Sequence, residues 1–336
     1  MNRGCGLPGE FELIARYFAP LAKGFPGAYG LLDDAAVIAP AAGHELVVKS
    51  DAVVGGVHFL PDDPPDLVGR KALRVNLSDL AAKGAVARAY MLDLMLPNTI
   101  GEAWIAGFAH GLARDQDEYG VHLIGGDTDS TPGPTTVAIM AFGEIATGRI
   151  IRRGGARPGD MIFLTGTIGD AALGLEVLRG RLSELDAASA GFLVERFRLP
   201  LPRITVGPRL IGLATAALDV SDGLIADLGH ICEVSALTAI VEAERVPLST
   251  AARAAIETAQ GDGLATALTG GDDYEILFTA PQTVAGELAE LSHTLGVAIT
   301  AIGHMSAPSA GTEKRVTVVA ADGRPLTFAC EGWRHF

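Results

Sequence analysis

Cysteine is scarce in this chain. Cys5, Cys232 and Cys330 are the only three in 336 residues, and no pair has CxxC spacing. That excludes a disulfide scaffold and a cysteine-based zinc site, and it predicts unpaired thiols in a reducing compartment. Positive charge is short as well: Lys and Arg total 26 against 40 Asp and Glu, a net charge of −14. Nucleic acid and an anionic membrane are thereby excluded as main partners. A phosphorylated ligand would need divalent cations to bridge it to so acidic a protein. Long apolar runs are missing; the longest clean one, Val137–Phe142, is far too short to span a bilayer. The opening MNRGCGLPGEFEL lacks the apolar stretch of a secretory signal. The expectation is a soluble, cytoplasmic protein. Several standard motifs are absent too: GxxxxGK[ST], HExxH, GxSxG and the protein-kinase HRD and DFG. Asp127-Thr128-Asp129-Ser130-Thr131 starts like an EF-hand, but Pro132 stands where glycine is required. Gly4–Gly9 matches GxGxxG, yet no strand precedes it, so it is not read as a dinucleotide site.

What is present is a long chain, 49% apolar, with Gly in 42 positions. That suffices for two domains with substantial cores. Apolar periodicity predicts a helix over Gly9–Leu21, with Phe11, Ile14, Ala15 and Phe18 inward. Strands follow at Ala35–Ala39, His44–Asp51, Tyr90–Leu96, Val121–Ile124 and Thr135–Ile145, with helices at Asp66–Ala85 and Gly101–Tyr119. The basic, turn-rich Gly148–Asp160 marks the boundary, giving domains 1–148 and 149–336. In the second half, strands are predicted at Met161–Thr165, Ala216–Val220, Ala239–Glu242, Tyr274–Thr279, Ala298–Gly303 and Val316–Ala320. Helices are predicted to about Leu178 and near Ala188–Arg198, Ile204–Leu213, Thr250–Ala259 and Thr283–Leu295. Another opens at Ser221-Asp222-Gly223, with Ser221 as its N-cap. Strands alternating with helices in both halves mean an α/β or α+β protein.

The chemistry lies in aspartates that recur beside small residues at the ends of apolar segments: Asp33-Asp34, Asp51, Asp79, Asp127, Asp219, Asp222 and Asp272-Asp273. Carboxylate oxygens are hard ligands that favour Mg²⁺ or Ca²⁺. Mg²⁺ takes only one or two carboxylates and completes its shell with water and phosphate oxygens. Many aspartates on separate strand ends therefore suit several Mg²⁺ ions around a nucleotide. Phosphoryl transfer needs mainly positioning and charge neutralisation, which such a set supplies.

Nine segments in order then carry a family resemblance: LLDDAAVI, KSDAVVGGVHFLP, GRKALRVNLSDLAAKGA, LIGGDT, RRGGARPGD, LTGTIGD, LDVSDGLIADLGHI, GGDDYEILF and AIGHM. The match runs from GEFELIARYF to the final WRHF, and over it the chain resembles the thiamine-monophosphate kinases. The resemblance implies the two-domain α/β (α+β) fold of the aminoimidazole ribonucleotide synthetase superfamily. There the N-terminal sheets pair across a homodimer, and the nucleotide lies in a cleft reached by both domains. It implies transfer of a phosphoryl group from ATP to thiamine monophosphate. Its magnesium ligands fall on Asp34, Ser50, Asp51, Asp79, Asp127, Asp219 and Asp222. Its ATP contacts fall on Gly126, Asp127, Arg153 and Ser221, and its thiamine phosphate contacts on His58, Asp272 and Trp333. Asp51, Asp127 and Arg153 are the residues expected to matter most for transfer. An arginine fork suits phosphate, and an indole face suits a cationic thiazolium.

The chain departs from the family pattern at four points. Leu31-Leu32 replace the usual glycine-rich approach to the paired aspartates, and Lys83 replaces a common methionine. Asp272 replaces a glutamate. Lys49 stands where a hydroxyl residue usually precedes Ser50, and a charged lysine cannot ligate a cation. Two other functions compete. One is a synthetase of the same superfamily, making aminoimidazole ribonucleotide or selenophosphate. The other is a non-catalytic nucleotide-binding dimer. The selenophosphate reading lacks a lysine after Cys5 before Lys23.

Overall fold

The structure is a computed structural model that describes residues 8–259, 263–308 and 315–333. Cys5, most of the Gly4–Gly9 run, and Arg334, His335 and Phe336 lie outside the described residues. The chain divides into two compact units. The first is Met1–Leu80 with Ala85–Gly148; the second is Ala81–Gly84 with Arg149–Phe336.

The first unit opens on a broken helix. α1 (Glu10–Leu13) passes into a π turn over Ile14–Phe18 and a 3₁₀ turn over Ala19–Ala22. Of the predicted inward face only Phe18 is fully buried, together with Leu13 and Leu21; Phe11 is 83% exposed. Pro20 has no N–H to extend the helical ladder, and the wider π turn rotates the inward face. The predicted strand Ala35–Ala39 does not form. The N–H of Val37 goes to Gly27 O at 2.9 Å instead of into a sheet.

Next come β1 (His44–Val54), α2 (Pro65–Ala82), β2 (Val86–Pro97), α3 (Glu102–Tyr119), β3 (His122–Thr131) and β4 (Thr136–Ala146). The sheet order is β1-β4-β2-β3, with β2 and β3 parallel and the other pairs antiparallel. Strand alternation sorts the residues: Val137, Ile139, Ala141 and Ile145 are buried, whereas Met140 between them is exposed. The two helices meet nearly backbone to backbone, since a Cβ on Gly111 would lie 2.0 Å from Asp66 O. A buried ion cluster ties them. Arg74 grips Asp115 with a two-pronged fork at 2.6 and 2.9 Å, and Arg70 adds a bond at 2.7 Å.

The second unit contains β5 (Met161–Thr165), α4 (Asp170–Leu178), α5 (Ala187–Arg198), β6 (Ala216–Asp219), α6 (Leu224–Ser235) and β7 (Thr238–Glu242). They are followed by α7 (Thr250–Thr258), α8 (Gly263–Thr269), β8 (Ile276–Ala280), α9 (Ala285–Leu295), β9 (Ile299–Ser306) and β10 (Val316–Val319). Its six-stranded sheet has the order β10-β7-β9-β5-β8-β6, antiparallel except for β7 with β10. Leu164, Leu218 and Leu277 face Leu228 and Ile231 of α6. Their strand neighbours Phe163, Ala217 and Phe278 form a second core with Leu288 of α9. The helix predicted at Ile204–Leu213 shrinks to a 3₁₀ turn, Gly207–Leu210, interrupted by Pro208. Lys83 donates to Ala217 O at 2.6 Å, a role its long side chain fills readily.

Candidate active site

In the first unit, α2 sets the site side of β1. Asn76 is 1% exposed, and its Oδ1 accepts the N–H of Asp51 at 3.0 Å while its Nδ2 donates to Ala72 O. This explains a polar residue in the middle of a core helix. One turn later, Asp79 reaches the same strand. Lys49 Nζ lies 2.9 Å from Asp79 Oδ2 and 3.2 Å from Asp51 Oδ2. Burial works against the Lys49 ammonium, but Asp79 and then Asp51 outweigh it and hold its pKa above the ordinary value. The Asp51 carboxyl is itself raised, first by burial and then by the charge of Asp79, despite the pull of Lys49. Two carboxylates served by one ammonium remain short of positive charge. Their hard oxygens fit Mg²⁺. Ser50 alternates to the other face of β1, so its hydroxyl does not join Asp51.

The remaining predicted ligands of this unit lie elsewhere. Asp34 sits in an exposed turn whose N–H is accepted by Asp33 Oδ1 at 2.8 Å. Asp127 lies within β3, which continues as strand to Thr131 where a loop was expected. Gly126 must be glycine: its φ is +144°, and a Cβ would meet Leu92 O at 1.8 Å. β1 and β3 are opposite edges of the sheet. Three strand spacings, about 14 Å, separate Asp51 from Asp127 across it. A single copy of this unit does not bring those two acids together. His58 is half-buried, with Nδ1 accepting the Val54 N–H at 3.0 Å. Its neutral ring therefore carries the proton on Nε2, a donor suited to phosphate. Lys71 Nζ fixes the same residue through His58 O at 2.8 Å.

In the second unit, four predicted residues converge on one loop after β6. The N–H groups of Ser221, Asp222 and Gly223 all point to Asp227 Oδ2, at 3.0, 2.9 and 3.1 Å. Ser221 is not the N-cap of α6; that position is Gly223, and Asp227 from the first turn of α6 collects the loop donors. Burial pushes the Asp227 carboxyl up to about 7 against those three donors. The carbonyls of the same loop hold the other residues. Val220 O accepts from Tyr274 N at 2.8 Å, Ser221 O from Asp272 N at 2.9 Å, and Asp222 O from Trp333 N at 2.9 Å. Asp272 and Tyr274 adopt left-handed φ values of 71° and 52°, a strained approach for side chains of their size. Trp333 is 53% exposed.

Among the described residues, one group of three is compact enough to hold a metal: Asp222, Asp227 and His230, within 4.8 Å of one another. Asp219 ends β6 and is buried. Arg153 is exposed, and Arg152 O beside it accepts from Ala217 N of β6 at 3.0 Å. No role was assigned to Asn76 or Asp227 from the sequence. An aspartate five residues beyond Asp222, inside an otherwise apolar helical turn, was the available signal.

The family model described as AIR synthase related protein, N-terminal domain, matches residues 32–145, and its C-terminal counterpart matches 157–314. A thiamine-monophosphate kinase of Salmonella typhimurium is 43% identical over 330 residues, covering 98% of both chains. The crystal structure of thiamine-monophosphate kinase from Stenotrophomonas maltophilia superposes with a TM-score of 0.82 at 39% identity, covering 95% of this chain and 98% of that one. AaThiL complexed with AMPPCP and TMP superposes at 0.77 with 29% identity, covering 92% and 97%. The chain belongs to the thiamine-monophosphate kinases, within the AIR synthase related proteins.

Proposed function

We propose that this protein transfers the γ-phosphoryl group of ATP directly to thiamine monophosphate, giving ADP and thiamine diphosphate. The observation that carries this reading is the loop Val220–Gly223. Its three successive carbonyls hold Asp272, Tyr274 and Trp333, so a nucleotide contact, a metal ligand and two substrate contacts share one floor. Trp333 offers its ring to the thiazolium or pyrimidine. Asp272 and the Nε2–H of His58 orient the substrate, and the Arg153 fork takes phosphate charge. The substrate phosphate needs no general base, because its second pKa is about 6 and its oxygen is already nucleophilic at neutral pH. That oxygen attacks the γ-phosphorus in line as the bond to ADP breaks.

Asp34, Asp51, Asp79, Asp127, Asp219 and Asp222 are the residues to hold several Mg²⁺ ions. Those ions supply neutralisation of phosphate charge. The active form is a cytoplasmic homodimer. Among the described residues β1 and β3 each leave one edge unpaired, and long open edges are normally covered. Pairing β1 of one protomer with β3 of its partner covers both. It also sets the strands bearing Asp51 and Asp127 side by side, which one sheet alone does not. The test is purified protein with ATP, Mg²⁺ and thiamine monophosphate. Thiamine diphosphate should form stoichiometrically with ADP, and Asp127→Asn should lower kcat by roughly 10²-fold or more. No thiamine diphosphate from the wild-type protein ends the proposal.

A further inference from the structure

We propose that the Lys49 ammonium is a resident cation between Asp51 and Asp79, filling a position that a divalent ion would otherwise take. The inference rests on the reading above, that these acids hold metal. The ammonium is 2.9 Å from Asp79 Oδ2 and 3.2 Å from Asp51 Oδ2, so one cation already bridges a carboxylate from β1 and one from α2. The three side chains are 29%, 15% and 45% exposed, shielded enough that the contact is not a loose surface pair.

The surroundings are built for it. Lys49 and Asp51 are two apart on β1 and share a face; Asn76 and Asp79 are one helical turn apart on α2 and meet that face. Asn76 fixes the strand at Asp51, which sets where Lys49 can reach. A divalent ion on the same two oxygens would stand against the ammonium at close range, and like charges so near exclude each other. The cluster therefore keeps one positive charge even when free Mg²⁺ is low, and the protein binds one divalent ion fewer than its acids alone would hold.

The experiment counts ions without turnover. The full-length protein with a non-hydrolysable ATP analogue is titrated with Mn²⁺, and free Mn²⁺ is read by electron paramagnetic resonance. Lys49→Met, which keeps the length and removes the charge, should bind one more Mn²⁺ per chain than wild type. Lys49→Arg should bind the wild-type number, and adding Asp79→Asn to Lys49→Met should abolish the gain. Mn²⁺ should also raise the melting temperature of Lys49→Met more than that of wild type, a readout that survives if the variant is less stable. Equal counts and equal melting shifts overturn the role of Lys49 alone. No Mn²⁺ bound by any form overturns the metal reading as well.

Discussion

Asn76 decides how β1 presents Asp51. Its carbonyl takes the N–H of Asp51 at 3.0 Å, and it does so while 1% exposed. Asn76→Ala removes the acceptor of this half-buried donor, which costs about 1 kcal/mol. Urea unfolding should register this loss, and kcat should fall with it because Lys49 and Asp51 lose their anchor. Unchanged stability would mean the strand finds another acceptor. Cys232 gives a second prediction. It is fully buried, and burial pushes its thiol up to about 11. Below that value it stays a thiol, and any stability tied to the neutral form is lost only as pH rises through it. At pH 8 the native protein should resist iodoacetamide at Cys232 while exposed Cys330 reacts, as peptide mass spectrometry would read. Carboxylates at the end of an apolar segment, such as Asp51 and Asp127, were visible in the sequence as candidates. Asp227 was not, because its work is to accept three backbone donors across a turn.

At the scale of elements, hydrophobic periodicity located most strands and helices to within a few residues. β5 and α3 are close matches because their apolar residues are continuous or strictly periodic. It failed where the backbone changes pitch. The π turn after α1 rotates the face, and the 3₁₀ turn at Gly207–Leu210 replaces a helix where a Cβ on Gly207 would lie 1.9 Å from Ala81 O. Such changes follow from packing partners distant in sequence, which periodicity does not encode. The cap of α7 shows how local and distant bonds combine. Ser249 Oγ accepts from Ala252 N at 2.9 Å and donates to Asp170 Oδ1 in the first turn of α4 at 2.5 Å. Ser249→Ala removes both, and the loss should be about 1–3 kcal/mol, more than a simple cap deletion. Ser249→Thr keeps the hydroxyl and should recover most of it in the same urea experiment.

For the whole molecule, the excess of acid is the dominant fact. A net charge of −14 is a cost to the folded chain that counter-cations relieve. Three of those acids are held where only the folded backbone keeps them: Asp51 and Asp79 by β1 and α2, Asp222 by the loop before α6. The unfolded chain has no such arrangement, so on the proposed metal reading Mg²⁺ with nucleotide binds the folded form preferentially. At a hundred times the dissociation constant this adds about 2.7 kcal/mol of stability. For units of this size that amounts to a rise of roughly 5–10 °C in Tm. The rise should appear with Mg²⁺ and an ATP analogue together and vanish with EDTA. NaCl at matched ionic strength screens surface repulsion but does not occupy carboxylate pairs. It should therefore give only a small part of the shift, and an equal shift in NaCl would mean that the acids respond to screening and hold no ion.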